Sequence, residues 1–559
     1  MDKEIKGHIV DVIGERIFDG TVCIRNGRID SIKPLYEFGG ENLPYIMPGF
    51  VDSHMHIEST LLLPENFAKL AVSHGTVAVA TDPHEITNVL GRSGMEFMLD
   101  NAGKVKFHFN FGIPSCVPST CFETAGATIT SEDIKELITR DEFYGLAEMM
   151  NYPGVIHEDP EVMAKMHCAL DAGKLVDGHA PDLVGDVAKK YIDAGISTDH
   201  EVYSLDNALA RIAMGMKIQI REGSAARNFE TLKSLLLDSS AKGSLMLCTD
   251  DIYPDELEDG HINLIAARAA ASGASLWNIL SAACVVPVKH YKMSVGLLQA
   301  GDNADFILVK DLKGFEVLQT WIDGEPVFDN GKVDIYREGQ GPVASGQELP
   351  NKFCAAPICT DDLKVKAEGN TMKVIVATEG SLYTEFIEAE PLVKEGLAVS
   401  DTGRDILKLM VYNRYSPARP AKAFITGFKL KRGAIASTIA HDSHNIIALG
   451  TNDDDMVRAV NELVRSHGGL CIVDGEKVRT LALPVAGLMS PLEGHEVGQA
   501  HKELKAMAAE QGCSFAAPFM TLAFMALPVI PKLKLTDLGL FDGMKFSFTE
   551  LFTDSIAKN

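Results

Sequence analysis

From about residue 47 to 290, short apolar runs alternate with amphipathic stretches in a regular rhythm. The runs "GFVDSHMH", "TVAVATDPHE", "VKFHFNFGIP", "FYGLAEMM", "KLVDGHAP", "GISTDHE", "MKIQIREG" and "SLMLCTDD" read as strands. Between them, "PENFAKLAVSHG", "EDIKELITR", "PEVMAKMHCALDAG", "LVGDVAKKYIDAG", "LDNALARIAMG" and "NFETLKSLLLDSS" read as helices, several closing on glycine, the usual helix stop. Eight such β units over about 240 residues predict a (β/α)8 barrel. A doubly wound open sheet is the alternative. Residues 1–46 read as short strands, and a matching set, "SVGLLQAGDNADFILVKDLKGFEVLQTWIDGEPVF", follows the barrel. Strands before and after a barrel can pair into one small β-sandwich. Beyond the Pro/Gly/Ser-rich "YREGQGPVASGQELPN" (336–351), the best linker, the pattern is mixed α/β. The expected domains are therefore 1–46 and 291–345 (sandwich), 47–290 (barrel) and 346–559 (a further α/β domain).

Composition narrows the class. With 559 residues, 46% hydrophobic and 23% charged, the chain is an ordinary multidomain globular protein. Its formal charge of -25 argues against nucleic acid or anionic membranes as partners. Apolar runs stay too short for a membrane span, and the amino terminus lacks a signal peptide's apolar region, so a cytosolic protein is expected. Ten cysteines without a C-x-x-C pair read as reduced thiols.

Ionisable residues gather at the predicted strand ends. His54 and His56, two apart on the first strand, share one face. His84 and Glu85 follow the second, Glu148 ends the fourth, and His179 lies on the fifth. His200 and Glu201 lie on the sixth, Arg221 and Glu222 on the seventh, and Asp250 and Asp251 on the eighth. In a (β/α)8 barrel these ends converge on one mouth. One histidine there is unremarkable, but so many metal-competent donors on one rim predict a metal site.

This ligand order resembles the amidohydrolase superfamily, and more closely the adenine deaminases that act on the free base. "PGFVDSHMHIEST", "TDPHEITNVLG", "GLAEMMNYPGV", "DGHAP", "STDHE", "CTDD" and "HDSHN" carry the likeness, in order, along essentially the whole chain. "GLAEMM" has no lysine, so Glu148 takes the place of the carbamylated lysine that bridges two metals in many relatives. The resemblance implies His54 and His56 on one ion, His179 and His200 on the other, Glu148 between them and Asp250 on the first. The ions are expected to be Mn2+ or Fe2+, with Zn2+ possible, and to lower the pKa of a shared water that attacks C6 of adenine. Hypoxanthine and ammonia would be the products and purine salvage the setting. Asp250 would move the proton.

Other roles stay open on the residues alone. Glu85 is the first candidate to protonate the purine ring and Glu201 the second. His84 and Glu201 could also contact the base, as could Arg221, although a surface ion pair is the blander reading of Arg221 with Glu222. His441, Asp442 and His444 of "HDSHN" either form a self-bonded turn or reach the site from a lid. Adenine and further copies of the chain are the expected partners. The rivals are a cyclic-amide hydrolase or other base deaminase, and a non-catalytic purine-binding barrel.

Overall fold

The computed structural model describes residues 2–35, 43–181, 183–344 and 346–554. Residues 36–42 of the expected first strand segment, Ser345 of the expected linker, and 555–559 lie outside them. Eight strands follow one another through the predicted rhythm: β1 (Phe50–Met55), β2 (Thr76–Thr81), β3 (His108–Ile113), β4 (Phe143–Met149), β5 (Leu175–Gly178), β6 (Thr198–Asp199), β7 (Lys217–Arg221) and β8 (Leu245–Cys248). All pair in parallel, β1 to β5 as one sheet and β6 to β8 as another. Ser197 N donates to Val176 O at 3.0 Å and joins the two sheets. The cylinder closes where Asp250 N donates to His54 O (2.9 Å) and His56 N to Asp250 O (3.3 Å). Helices between the strands cover the outside, which is why the strands are apolar on both faces. Gly75, after the helix Pro64–Ser73, has φ 78, and a Cβ there would lie 3.0 Å from Ile307 and Val317.

The flanking strands do meet. Tyr45–Pro48 pairs with Lys3–Asp11 on one side and with Phe306–Val309 on the other. The result is one continuous eight-stranded sheet by hydrogen bonding, with Ile9, Val22, Ile46, Phe306 and Trp321 in one apolar cluster.

A second eight-stranded sheet, all from residues 372–482, carries the helix Asp453–Ser466 on one face. Alternation divides its side chains. Ala434, Ala436, Ile446 and Ala448 face that helix through Met456, Val460 and Leu463, while Ile435, Ile447 and Ile472 join the apolar cluster of the barrel. Polar contacts fasten the two bodies. His501 Nδ1 and Lys505 Nζ, on the helix Gly494–Glu510, lie 2.7 Å and 2.9 Å from the two oxygens of Asp255. Asn445 Nδ2 donates to Thr124 O at 2.9 Å.

Candidate active site and metal centre

The six expected ligands meet at the carboxyl end of the barrel, and each is at most 6% exposed. His54 Nε2 and His56 Nε2 lie 3.4 Å and 3.1 Å from Asp250 Oδ1. Glu148 sits among the rest: Oε1 is 3.5 Å from His56 Nε2, and Oε2 is 2.9 Å from His179 Nδ1 and 3.3 Å from His200 Nε2. The His54 and His200 rings stack at 4.1 Å.

Local structure explains this aim. Asp52 accepts from His54 N (3.2 Å), Thr249 N (3.3 Å) and Thr249 Oγ1 (2.5 Å), which ties β1 to β8 below the ligands. Asp199 takes Ala180 N at 2.9 Å and the guanidinium of Arg211, fixing the turns that carry His179 and His200. His56 Nδ1 lies 3.0 Å from the Asp82 carbonyl. A carbonyl only accepts, so Nδ1 carries the proton and Nε2 is left as the donor atom toward the cluster. Asp250 has φ 57, a left-handed backbone at the strand end, where strain is characteristic of functional sites.

Charge follows geometry. Burial alone would raise the Glu148 carboxyl, but His179 and His200 beside it hold it well below the ordinary range. Asp250 is likewise held down against burial, by Arg221 first and then by His54 and His56. Arg221 Nη1 reaches Asp250 Oδ2 at 2.6 Å and Glu201 Oε1 at 2.5 Å, and Nη2 donates to Tyr203 Oη at 2.7 Å. Arg221 is fully buried behind the cavity rather than lining it, and Glu222 turns away to Arg268. The surface-pair reading of Arg221 is therefore corrected: strand alternation sends the two neighbours to opposite faces.

Several expected residues line the same cavity, among them His84, Glu85, Glu201, His441 and Asp442. His84 Nδ1 is 3.0 Å from Asp82 Oδ2. Glu85 is not a free acid: His441 Nδ1 lies 2.8 Å from Oε1, and His444 Nε2 contacts Oε2. Burial opposes its ionisation, yet His441 and then His444 keep it well below the ordinary carboxyl range. The "HDSHN" segment thus is a turn and also reaches the barrel mouth. Asp251, beside Asp250, accepts from Ser59 Oγ at 2.5 Å and lines the cavity too.

A lid was one of the two readings of "HDSHN", but the apolar residues that form the roof were missed from sequence. Leu382, Phe524, Leu527 and Ile530 cover the cavity from above. Lys534 Nζ, which burial pushes down to about 7, donates at 2.8 Å to both Leu382 O and Phe524 O and holds the two together. The signal available was "APFMTLAFMALPVI" (517–530), an apolar run without strand or helix period.

The donor set fits divalent cations. It offers imidazole and carboxylate without thiolate, and His54 Nε2, His179 Nε2 and His200 Nδ1 are buried without hydrogen-bond partners. A barrel with such a rim defines a divalent-metal hydrolase. Residues 45–327 match the Amidohydrolase family and residues 381–547 the Adenine deaminase C-terminal domain. The chain belongs to the adenine deaminase family of amidohydrolases. It is 47% identical to an adenine deaminase of Methanosarcina barkeri, covering 98% of this chain and 99% of that one. It is 45% identical to one of Salinibacter ruber, again over 98% and 99%. A beta-aspartyl dipeptidase structure from Fervidobacterium islandicum overlaps 60% of the chain and 99% of its own, with 16% identity and a TM-score of 0.46. Among the described residues, no helix is long and apolar enough to cross a membrane.

Proposed function

We propose that the chain deaminates free adenine hydrolytically, giving hypoxanthine and ammonia. The observation that carries this reading is the meeting of His54, His56, Glu148, His179, His200 and Asp250 in one buried cavity roofed by the adenine deaminase C-terminal region. His54 and His56 would hold one cation with Asp250, His179 and His200 a second, and Glu148 would serve both. Nitrogen and carboxylate donors favour Mn2+ or Fe2+ over a thiolate-loving ion, with Zn2+ a workable substitute. Such cations supply a water ionised near neutrality and stabilise charge on the reacting atoms.

The remaining chemistry is the chain's own. Asp250 accepts the proton of the attacking water and delivers it to the leaving amine at C6, while Arg221 keeps its second oxygen turned away. Glu85 and Glu201 are both committed to cationic partners, so neither is placed as the ring acid. Asp442, whose Oδ2 lacks a hydrogen-bond partner and which lines the cavity, is a polar group free to face a ring nitrogen. Leu382, Phe524, Leu527 and Ile530 cover the purine faces and exclude water. Assembly of several copies in the cytosol, serving purine salvage, belongs to this reading and rests on the family likeness. Incubating the purified protein with adenine should release one ammonia per hypoxanthine formed. No ammonia from the Mn2+-loaded protein would refute the assignment.

A further inference from the structure

A second metal-competent cluster lies beside the barrel set and uses none of its six ligands. Glu85, at the head of the helix His84–Leu90 after β2, meets His441 and His444 from the turn between Ala434–Ser437 and Ile446–Gly450. Their donor atoms lie within 4.8 Å of one another, and the three residues are 2%, 3% and 0% exposed. Glu85 Oε1 lies 2.8 Å from His441 Nδ1, and Oε2 contacts His444 Nε2, so two imidazoles close on one buried carboxylate.

The cluster leaves one buried ring nitrogen without a partner. His444 Nε2 contacts Glu85 Oε2 without a directed hydrogen bond, and His444 Nδ1 is buried with no hydrogen-bond partner. His441 Nδ1 takes the other oxygen, Oε1, at 2.8 Å. A further imidazole faces the same carboxylate: His84 Nε2 is 3.3 Å from Glu85 Oε1, with its Nδ1 beside Asp82 Oδ2 at 3.0 Å. A carboxylate on one ring nitrogen that frees the other is the usual support of a metal-bound histidine. Three imidazoles facing one buried carboxylate form a donor set that suits a divalent cation.

We infer that Glu85, His441 and His444, with His84 Nε2 as a fourth donor, bind one further divalent cation of the borderline transition-metal class. Two of its ligands come from the second sheet and two from the barrel loop, so the ion fastens the roof to the mouth. The test is the number of Mn2+ ions held by the full-length chain after chelator stripping and equilibrium dialysis against micromolar MnCl2. The parent should hold one ion more than the double variant His441→Ala/His444→Ala and one more than Glu85→Gln, which preserves side-chain shape should the double variant fail to fold. Equal occupancy in parent and Glu85→Gln overturns the site. Loss of more than one ion in Glu85→Gln also overturns it, by making the cluster inseparable from the barrel set. The readout is a difference, so it stands whether the barrel itself holds one ion or two and whatever the substrate.

Discussion

The floor and the roof of the cavity are built in opposite ways. The floor is a ring of strand ends from one stretch of chain, charged and clamped: Glu148 among histidines, Asp250 against Arg221. The roof is assembled from distant segments of the second body and is mostly apolar, with Leu382 and Phe524 held together through Lys534. On the proposed reading the difference divides labour: the floor would perform the proton and charge chemistry, and the roof would select and dry the substrate.

Substitutions should separate the two. The largest effect belongs to Asp250→Asn, which keeps shape and the Arg221 contact but cannot carry a proton. Its kcat should fall about 10²–10⁴-fold while elemental analysis finds the parent's metal content; turnover near that of the parent would remove Asp250 from the proton path. Glu148→Gln comes next, losing the charge shared by His56, His179 and His200. We expect kcat/KM down by about 100-fold together with reduced bound metal, so normal metal content would show that the cations do not need that carboxylate.

The roof answers differently. Phe524 stacks on His441 at 4.3 Å and covers the cavity. Phe524→Ala should raise the KM for adenine about tenfold, the size of a lost aromatic contact, with kcat nearly unchanged. The same roof should make adenosine a poorer substrate than adenine by about 100-fold or more in kcat/KM. Comparable values for the two in the parent would deny the roof its selecting role.

The smallest effect concerns the fastening at Asp255. Burial works against this carboxylate, but His501 and then Lys505 hold it down to about 2, against 3.8 ordinarily. A carboxyl lowered on folding stabilises above its unfolded pKa, and that stability is lost as pH falls from 3.8 through about 2. Allowing for partial solvent screening, the pair contributes about 1–2 kcal/mol near neutral pH. Chemical denaturation of Asp255→Asn should show that deficit near neutrality, and the two proteins should converge in strong acid. A deficit independent of pH would point to lost packing instead.

Legibility in the sequence follows the same division. The barrel was readable because parallel strands are apolar throughout, helices between them keep a 3.6-residue period, and ligands sit at fixed places on strand ends. "HDSHN" was readable only as two alternatives, since a turn and a contact with Glu85 use the same residue types. The apolar part of the roof was illegible because Leu382, Phe524, Leu527 and Ile530 meet through tertiary packing that no local period encodes. Arg221 was misjudged for a smaller reason: adjacency to Glu222 suggested a pair, whereas the pleat separates them.

The seam that closes the barrel has a consequence for how the polypeptide matures. The first and last strands are joined through the backbone of His54, His56 and Asp250, the same residues that offer donor atoms to a cation. Cylinder closure and ligand assembly are thus one event, spanning nearly two hundred residues of loop that must be ordered first. A newly made chain cannot complete the cylinder and leave ligand assembly for later.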